Sequence, residues 1–140
     1  MIVVDTNVAS ELMRPTPSAP VVAWVRARRA SELYATSITV AEVLHGIERL
    51  EKSRRKALLG AAATEVFAAF ADRVLAFDGK AAVYYAAVVA GRERTGAPIS
   101  GFDAQIAAIC RVHDATLATR NTGDFSDTGI TVVDPWVDPV

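Results

Sequence analysis

"MIVVDTNV" (residues 1–8) runs three apolar β-forming residues straight into Asp5, Thr6 and Asn7. A strand that is apolar without alternation is buried on both faces, which is the situation of a central strand in a parallel sheet covered by helices. A carboxylate at the end of such a strand needs a reason, because an unpartnered buried charge is costly. In open parallel sheets, ligands gather beyond the carboxyl ends of the strands. The stretch therefore predicts an α/β fold with a parallel sheet, and puts Asp5 at the edge where chemistry collects.

The rest of the chain fits that frame. Polar residues and a short helix (8–13) follow the first strand, and "PTPSAP" (15–20) connects to a helix over 21–29. "LYATS" (33–37) reads as a strand, followed by helices over 40–50 and 54–71. "VLAF" (74–77) is a further strand, and 80–94 a long apolar helix. A helix over 103–113 precedes strands at "ATLAT" (115–119) and "ITVV" (130–133). Strands joined by helices imply right-handed crossovers and a parallel sheet. At 140 residues, the expectation is one domain over 1–140.

Hydrophobic residues make up 51% of the chain, ample for a core, yet no apolar run approaches a membrane span. "MIVV" lacks the basic start and the length of a signal peptide. The single cysteine, Cys110, cannot form an internal disulfide and reads as a small buried hydrophobe. These features lead us to expect a cytoplasmic protein with no membrane association. With 15 basic and 16 acidic residues, the net charge of −1 is not that of a protein that coats nucleic acid. Basic clusters at Arg26, Arg28 and Arg29, at 52–56, and at Arg92 and Arg94 read as solvated helix faces.

An apolar strand ending in Asp occurs three times: "IVVD" (Asp5), "LAFD" (Asp78) and "TVVD" (Asp134). Asp78 precedes a long helix and reads as its cap. Asp134 precedes Pro135 and reads as a turn residue. Glu42 has an equally ordinary reading, since "TVAE" (39–42) matches a capping box. Asp103 has the place of an N-cap, and Asp124 that of a turn residue beside Gly123. Their joint placement suggests more. Asp5 and Asp124 follow strands, and Glu42 opens the helix after one. Asp103 opens a helix leading into a strand, and we expect its loop to fold back to reach the same edge. Four converging carboxylates without a cation repel one another unless a proton or metal intervenes. Hard oxygen ligands suit Mg²⁺ or Mn²⁺. His45 and His113 are isolated and offer no zinc spacing. Thr6, Asn7, Ser37, Thr119 and Asn121 lie beside the acids, where they would orient carboxylates or bond locally.

"VVDTNV", "SITVAEVLHGI", "ISGFDAQIAAIC" and "LATRNTGDF", in that order, resemble the PIN-domain family, specifically the VapC and FitB-like ribonuclease toxins of type II toxin–antitoxin modules. The resemblance covers essentially the whole chain. It implies a parallel sheet of about five strands sandwiched by helices. It also implies that Asp5, Glu42, Asp103 and Asp124 bind Mg²⁺ or Mn²⁺, with Asn121 and Asp127 close to the fourth position. The implied activity is endonucleolytic hydrolysis of a structured RNA, leaving a 5′-phosphate and a 3′-hydroxyl. Arg120 and the basic clusters are the places to look for RNA contacts. The implied partner is a small antitoxin whose tail covers the cleft, an Arg of that tail pairing with the carboxylates. From the sequence itself, "AAVYYAAVVAG" is apolar on nearly every face, and the surplus face leads us to expect a homodimer.

Two other readings remain open at this level. One is a haloacid-dehalogenase-like phosphatase with Asp5 as nucleophile and "GDFSD" (123–127) holding Mg²⁺. It expects an Asp where Asn7 stands and a Thr where Ala9 stands. The other is a non-catalytic partner-binding α/β module in which every carboxylate is a cap.

Overall fold

The computed structural model describes all 140 residues. Five strands form one sheet: β1 (Ile2–Val4), β2 (Leu33–Thr36), β3 (Val74–Leu75), β4 (Thr116–Ala118) and β5 (Val132–Val133). Their order is β3-β2-β1-β4-β5, and every neighbouring pair is parallel. The chain starts in the middle, winds outward through β2 and β3, then returns to the other side for β4 and β5. The winding direction therefore reverses between β1 and β4, the point where open sheets leave a crevice.

Six helices cover the sheet: α1 (Thr6–Leu12), α2 (Ala19–Arg26), α3 (Ser37–Glu48), α4 (Arg54–Ala68), α5 (Gly79–Arg94) and α6 (Gly101–His113). Short 3-10 turns occupy Ala30–Glu32 and Thr122–Phe125. Val3 and Val4 are both fully buried, but in different cores. Val3 joins Leu117 against Ala104, Ala107 and Cys110 of α6 and Val88 of α5. Val4 joins Ala118 against Val8 of α1, Val21 and Trp24 of α2, and Phe70. Adjacent strand residues thus pack on opposite faces. Each such valine stabilises the fold by roughly 1.5–3 kcal/mol.

Helix boundaries follow local chemistry. Pro20 sits in the first turn of α2, where its missing N–H costs nothing. Asp78 caps α5, its Oδ1 accepting from the Ala81 amide at 3.0 Å. Asp134 accepts from the Trp136 amide at 2.9 Å in a turn. Both acids behave as the sequence suggests. The predicted capping box at Thr39 and Glu42 is not formed. Helix α3 begins three residues earlier, with Thr36 Oγ1 accepting from the Thr39 amide at 3.1 Å. "TSIT" (36–39) offers three hydroxyls, and the first one takes the cap. Asp103 is likewise not the cap of α6. Ser100 is, accepting from the Asp103 amide at 3.2 Å.

Helix α5 buries Ala81, Val88 and Arg92 and leaves Ala82, Val83, Ala86 and Ala87 exposed, Val83 at 71%. The surplus apolar face read from the sequence is real and lies on the surface. No helix is long and apolar enough to cross a membrane.

Candidate active site

Asp5 follows β1 directly. Its amide donates to Ala118 O at 2.9 Å, extending the β1–β4 ladder by one residue, so the side chain emerges at the crevice between those strands. It is 5% exposed. Oδ1 accepts from the Thr6 amide at 2.8 Å, and Oδ2 accepts from the Thr119 hydroxyl at 2.8 Å. Thr119 follows β4 and is fully buried. Its oxygen also accepts from Asn7 Nδ2 and from the Asn121 amide, both at 3.1 Å. Asn7 Nδ2 lies 3.4 Å from Asp5 Oδ2, and Asn7 Oδ1 accepts from the Arg120 amide at 3.2 Å. Residues 112 positions apart are thereby stitched together around one carboxylate.

Glu42 reaches the same edge from the second turn of α3. Its Oε1 accepts from the Thr6 hydroxyl at 2.8 Å, and Thr6 Oγ1 lies 3.0 Å from the buried Thr39 hydroxyl. Thr39 is a partner that sequence reasoning missed by assigning its hydroxyl to a cap. A buried Thr one helical turn before an acid, on the same face, is the signal that identifies it.

Asp103 lies in the first turn of α6, and Asp124 in the 3-10 turn after β4. No fold-back of the Asp103 loop is needed, contrary to expectation. Helix α6 spans roughly 20 Å and runs back along the sheet before β4 begins, so its N-terminus already stands at the carboxyl edge.

The electrostatics link the four acids in a chain. Asp5 is pushed up from 3.8 to about 6, first by burial, then by the charges of Asp103 and Glu42, against the hydrogen bonds from Thr119 and Thr6. Asp103 is raised, first by burial and also by Asp124, with the Ser100 hydroxyl and the Arg92 charge opposing. The two ion pairs of the chain, Arg14–Glu11 and Arg73–Asp72, lie elsewhere. As they stand, no three acidic, His or Cys side chains lie close enough together to hold one ion. What the edge provides is a set of uncompensated oxygen donors rather than a closed cage.

The remaining predicted positions divide. Thr6, Asn7 and Thr119 contact the acids through their side chains. Asn121 contributes its backbone amide only. Ser37 is exposed at the start of α3 and touches none of them, because Thr36 took the cap one residue earlier and turned Ser37 outward. Arg120 is exposed at the rim and lies over the Trp136 ring at 5.1 Å. Arg92, read as part of a solvated face, is 7% exposed. Asp127 is exposed with φ +58°. His45 and His113 are exposed. Cys110 is buried, its thiol pushed up to about 12 by burial and the charge of Asp5.

Known proteins match this chain end to end in sequence and fold. The chain is 37% identical over 139 residues to Toxin FitB of Neisseria gonorrhoeae, covering 99% of this chain and 100% of that one. It is 38% identical over 137 residues to VapC ribonuclease Y4jK of Sinorhizobium fredii, covering 97% and 98%. The crystal structure of FitAcB from Neisseria gonorrhoeae superposes with a TM-score of 0.91 at 37% identity, covering 99% and 100% of the two chains. The PIN domain pattern matches residues 2–130, and the chain belongs to the PIN-domain family, with FitB and VapC proteins among its relatives.

Proposed function

We propose that this chain is a divalent-metal-dependent endoribonuclease and the toxin of a toxin–antitoxin pair, with Asp5, Glu42, Asp103 and Asp124 as its metal ligands. The ribonuclease and toxin readings draw on the relatives named VapC ribonuclease and Toxin FitB. The observation that carries the metal reading is Asp5. It is a nearly buried carboxylate, facing two other acids with no paired cation, and raised to about 6. Such a group is stable only with a proton or a counter-cation. The hard oxygen donors suit Mg²⁺ or Mn²⁺, with water bridging or the acids drawing together around the ion, and they lack the His and Cys typical of zinc sites.

When bound, a divalent ion lowers the pKa of a coordinated water and offsets charge on the phosphate. The chain's own residues supply the rest. Thr119 and the Thr6 amide fix the two oxygens of Asp5 in one orientation. Thr6 fixes Glu42 through Oε1. Asp103 and Asp124 extend the acidic rim from the other side of the crevice. Asp5 would be held ionised as a ligand by a bound cation, so metal uptake would release the proton that burial favours in the metal-free chain. Arg120, at the rim, is placed to meet RNA phosphates. The exposed face of α5 supports a homodimer, and the relatives support a cognate antitoxin as the other partner.

The test is a Mn²⁺ titration of thermal stability beside RNA cleavage. The midpoint rises with metal concentration, Asp5→Asn removes the rise, and RNA is cut while small phosphate esters are not. An acyl-phosphate on Asp5, or no metal response in the wild type, would falsify the proposal.

A further inference from the structure

We propose that Arg92 is a positioning residue that ties the loop leading into the Asp103 end of α6 to the 3-10 turn that bears Asp124. The inference rests on the metal-site reading above. Arg92 stands in the last turn of α5 and is 7% exposed. Its guanidinium forms no ion pair. Nε donates to Ala97 O at 2.6 Å, and Nη1 donates to Asp124 O at 2.7 Å and Ser126 O at 3.0 Å. One side chain therefore spans two loops. The first, after α5, leads through Ser100 into the turn that bears Asp103. The second is the 3-10 turn that bears Asp124 itself.

The neighbouring Ala104 and Phe125 are packed in the core, but neither acid has another hydrogen bond reaching outside its own segment. Asp103 is fixed by Ser100, the cap of its own helix, and the Asp124 amide bonds Asn121 O within its turn. The first loop passes through Gly96 at φ +73°, and the second is followed by Asp127 at φ +58° and Gly129 at φ +82°. A buried guanidinium is well suited to join such segments. Its planar fork presents several donors in fixed directions and keeps its charge when desolvated. That charge also opposes the repulsion at Asp103. Lysine cannot reproduce the span, because a point ammonium cannot meet all three carbonyls in the plane of a fork.

The test compares Arg92→Met, Arg92→Lys and Lys80→Met, an exposed residue at the far end of the same helix. Mn²⁺ affinity is read from the electron paramagnetic resonance of free Mn²⁺, on variants shown folded by circular dichroism. Arg92→Met is expected to weaken Mn²⁺ binding about tenfold or more. Arg92→Lys should fall between it and the wild type, and Lys80→Met should be unchanged. Raising Mn²⁺ should restore most of kcat to Arg92→Met, which separates misplaced ligands from a damaged fold. Hydrogen exchange should speed up at the amides of Ala97, Asp124 and Ser126, but not at those of Asp5 and Thr119. Wild-type Mn²⁺ affinity in folded Arg92→Met overturns the proposal. If that variant does not fold, wild-type affinity and exchange in Arg92→Lys overturn it equally. If the wild type itself ignores Mn²⁺, the metal reading fails, and the exchange pattern alone decides whether Arg92 holds the loops.

Discussion

The two halves of the acidic rim are built differently. Asp5 and Glu42 are held by side-chain hydroxyls and an amide contributed from other elements: Thr6, Asn7 and Thr119. Asp103 and Asp124 are held through their backbones, by a helix cap, a tight turn and the carbonyl bonds of Arg92. Asp5 is buried and its charge is penalised, Glu42 and Asp103 are half-buried, and Asp124 is exposed. A hydroxyl network fixes where a carboxylate points and tunes its affinity for protons. A backbone clamp fixes only where the residue sits. Asp5 should therefore govern the stability and pH behaviour of the metal-free chain, and Asp124, at the other extreme, should matter only when a ligand is present.

Asp5→Asn tests this contrast most severely. RNA cleavage should fall by about a thousandfold or more, because the site loses several kcal/mol of charge stabilisation. The metal-free variant should nevertheless be more stable than the wild type at pH 8, as measured by urea denaturation.

The pH dependence of stability comes next. Asp5 titrates near 6 in the folded chain and near 3.8 in the unfolded one, so the folded state binds the proton more tightly. Its contribution is fully present below about 4 and lost as pH rises through about 6, a total of about 3 kcal/mol. The difference between wild type and Asp5→Asn across that range isolates it from the other groups. A flat difference would mean that Asp5 is better solvated than its burial indicates.

Thr119→Val should cost about 1–3 kcal/mol, since it leaves Asp5 Oδ2 and the Asn121 amide without the hydroxyl. It should also raise the Asp5 pKa further, which carboxylate-resolved NMR would detect.

Asp124→Asn is the smallest effect in the metal-free chain, within about 0.5 kcal/mol of the wild type. Metal affinity should still drop. A large loss of stability in this variant would erase the distinction between the two halves.

Much of this was legible before any coordinates. "IVV" (2–4) announced a two-sided central strand, and Asp78 and Asp134 behaved as the cap and turn residue they resemble. Misreadings arose where several polar groups compete for one role. Four residues, "TSIT", offered three hydroxyls for one cap, so Thr39 and Glu42 were assigned to each other rather than to Thr6. Ser37 illustrates the same limit, because a shift of one residue at a helix start turns a side chain from the crevice to solvent. Arg92 was illegible for another reason. "GRER" has the pattern of an exposed helix end, and only the return of a segment some 30 residues later covers it. Local periodicity carries no record of such an encounter.

The sheet's winding order has a consequence for biosynthesis. β1 is made first, yet the hydroxyl that orients its terminal carboxylate arrives 114 residues later. Long-range parallel pairing of this kind forms slowly, since the intervening chain must close before it is rewarded. A nascent polypeptide still lacking β4 carries Asp5, Glu42 and Asp103 but has neither Asp124 nor the Thr119 hydroxyl that orients Asp5. Under the nuclease reading proposed above, the site is completed only after synthesis has passed Asp124.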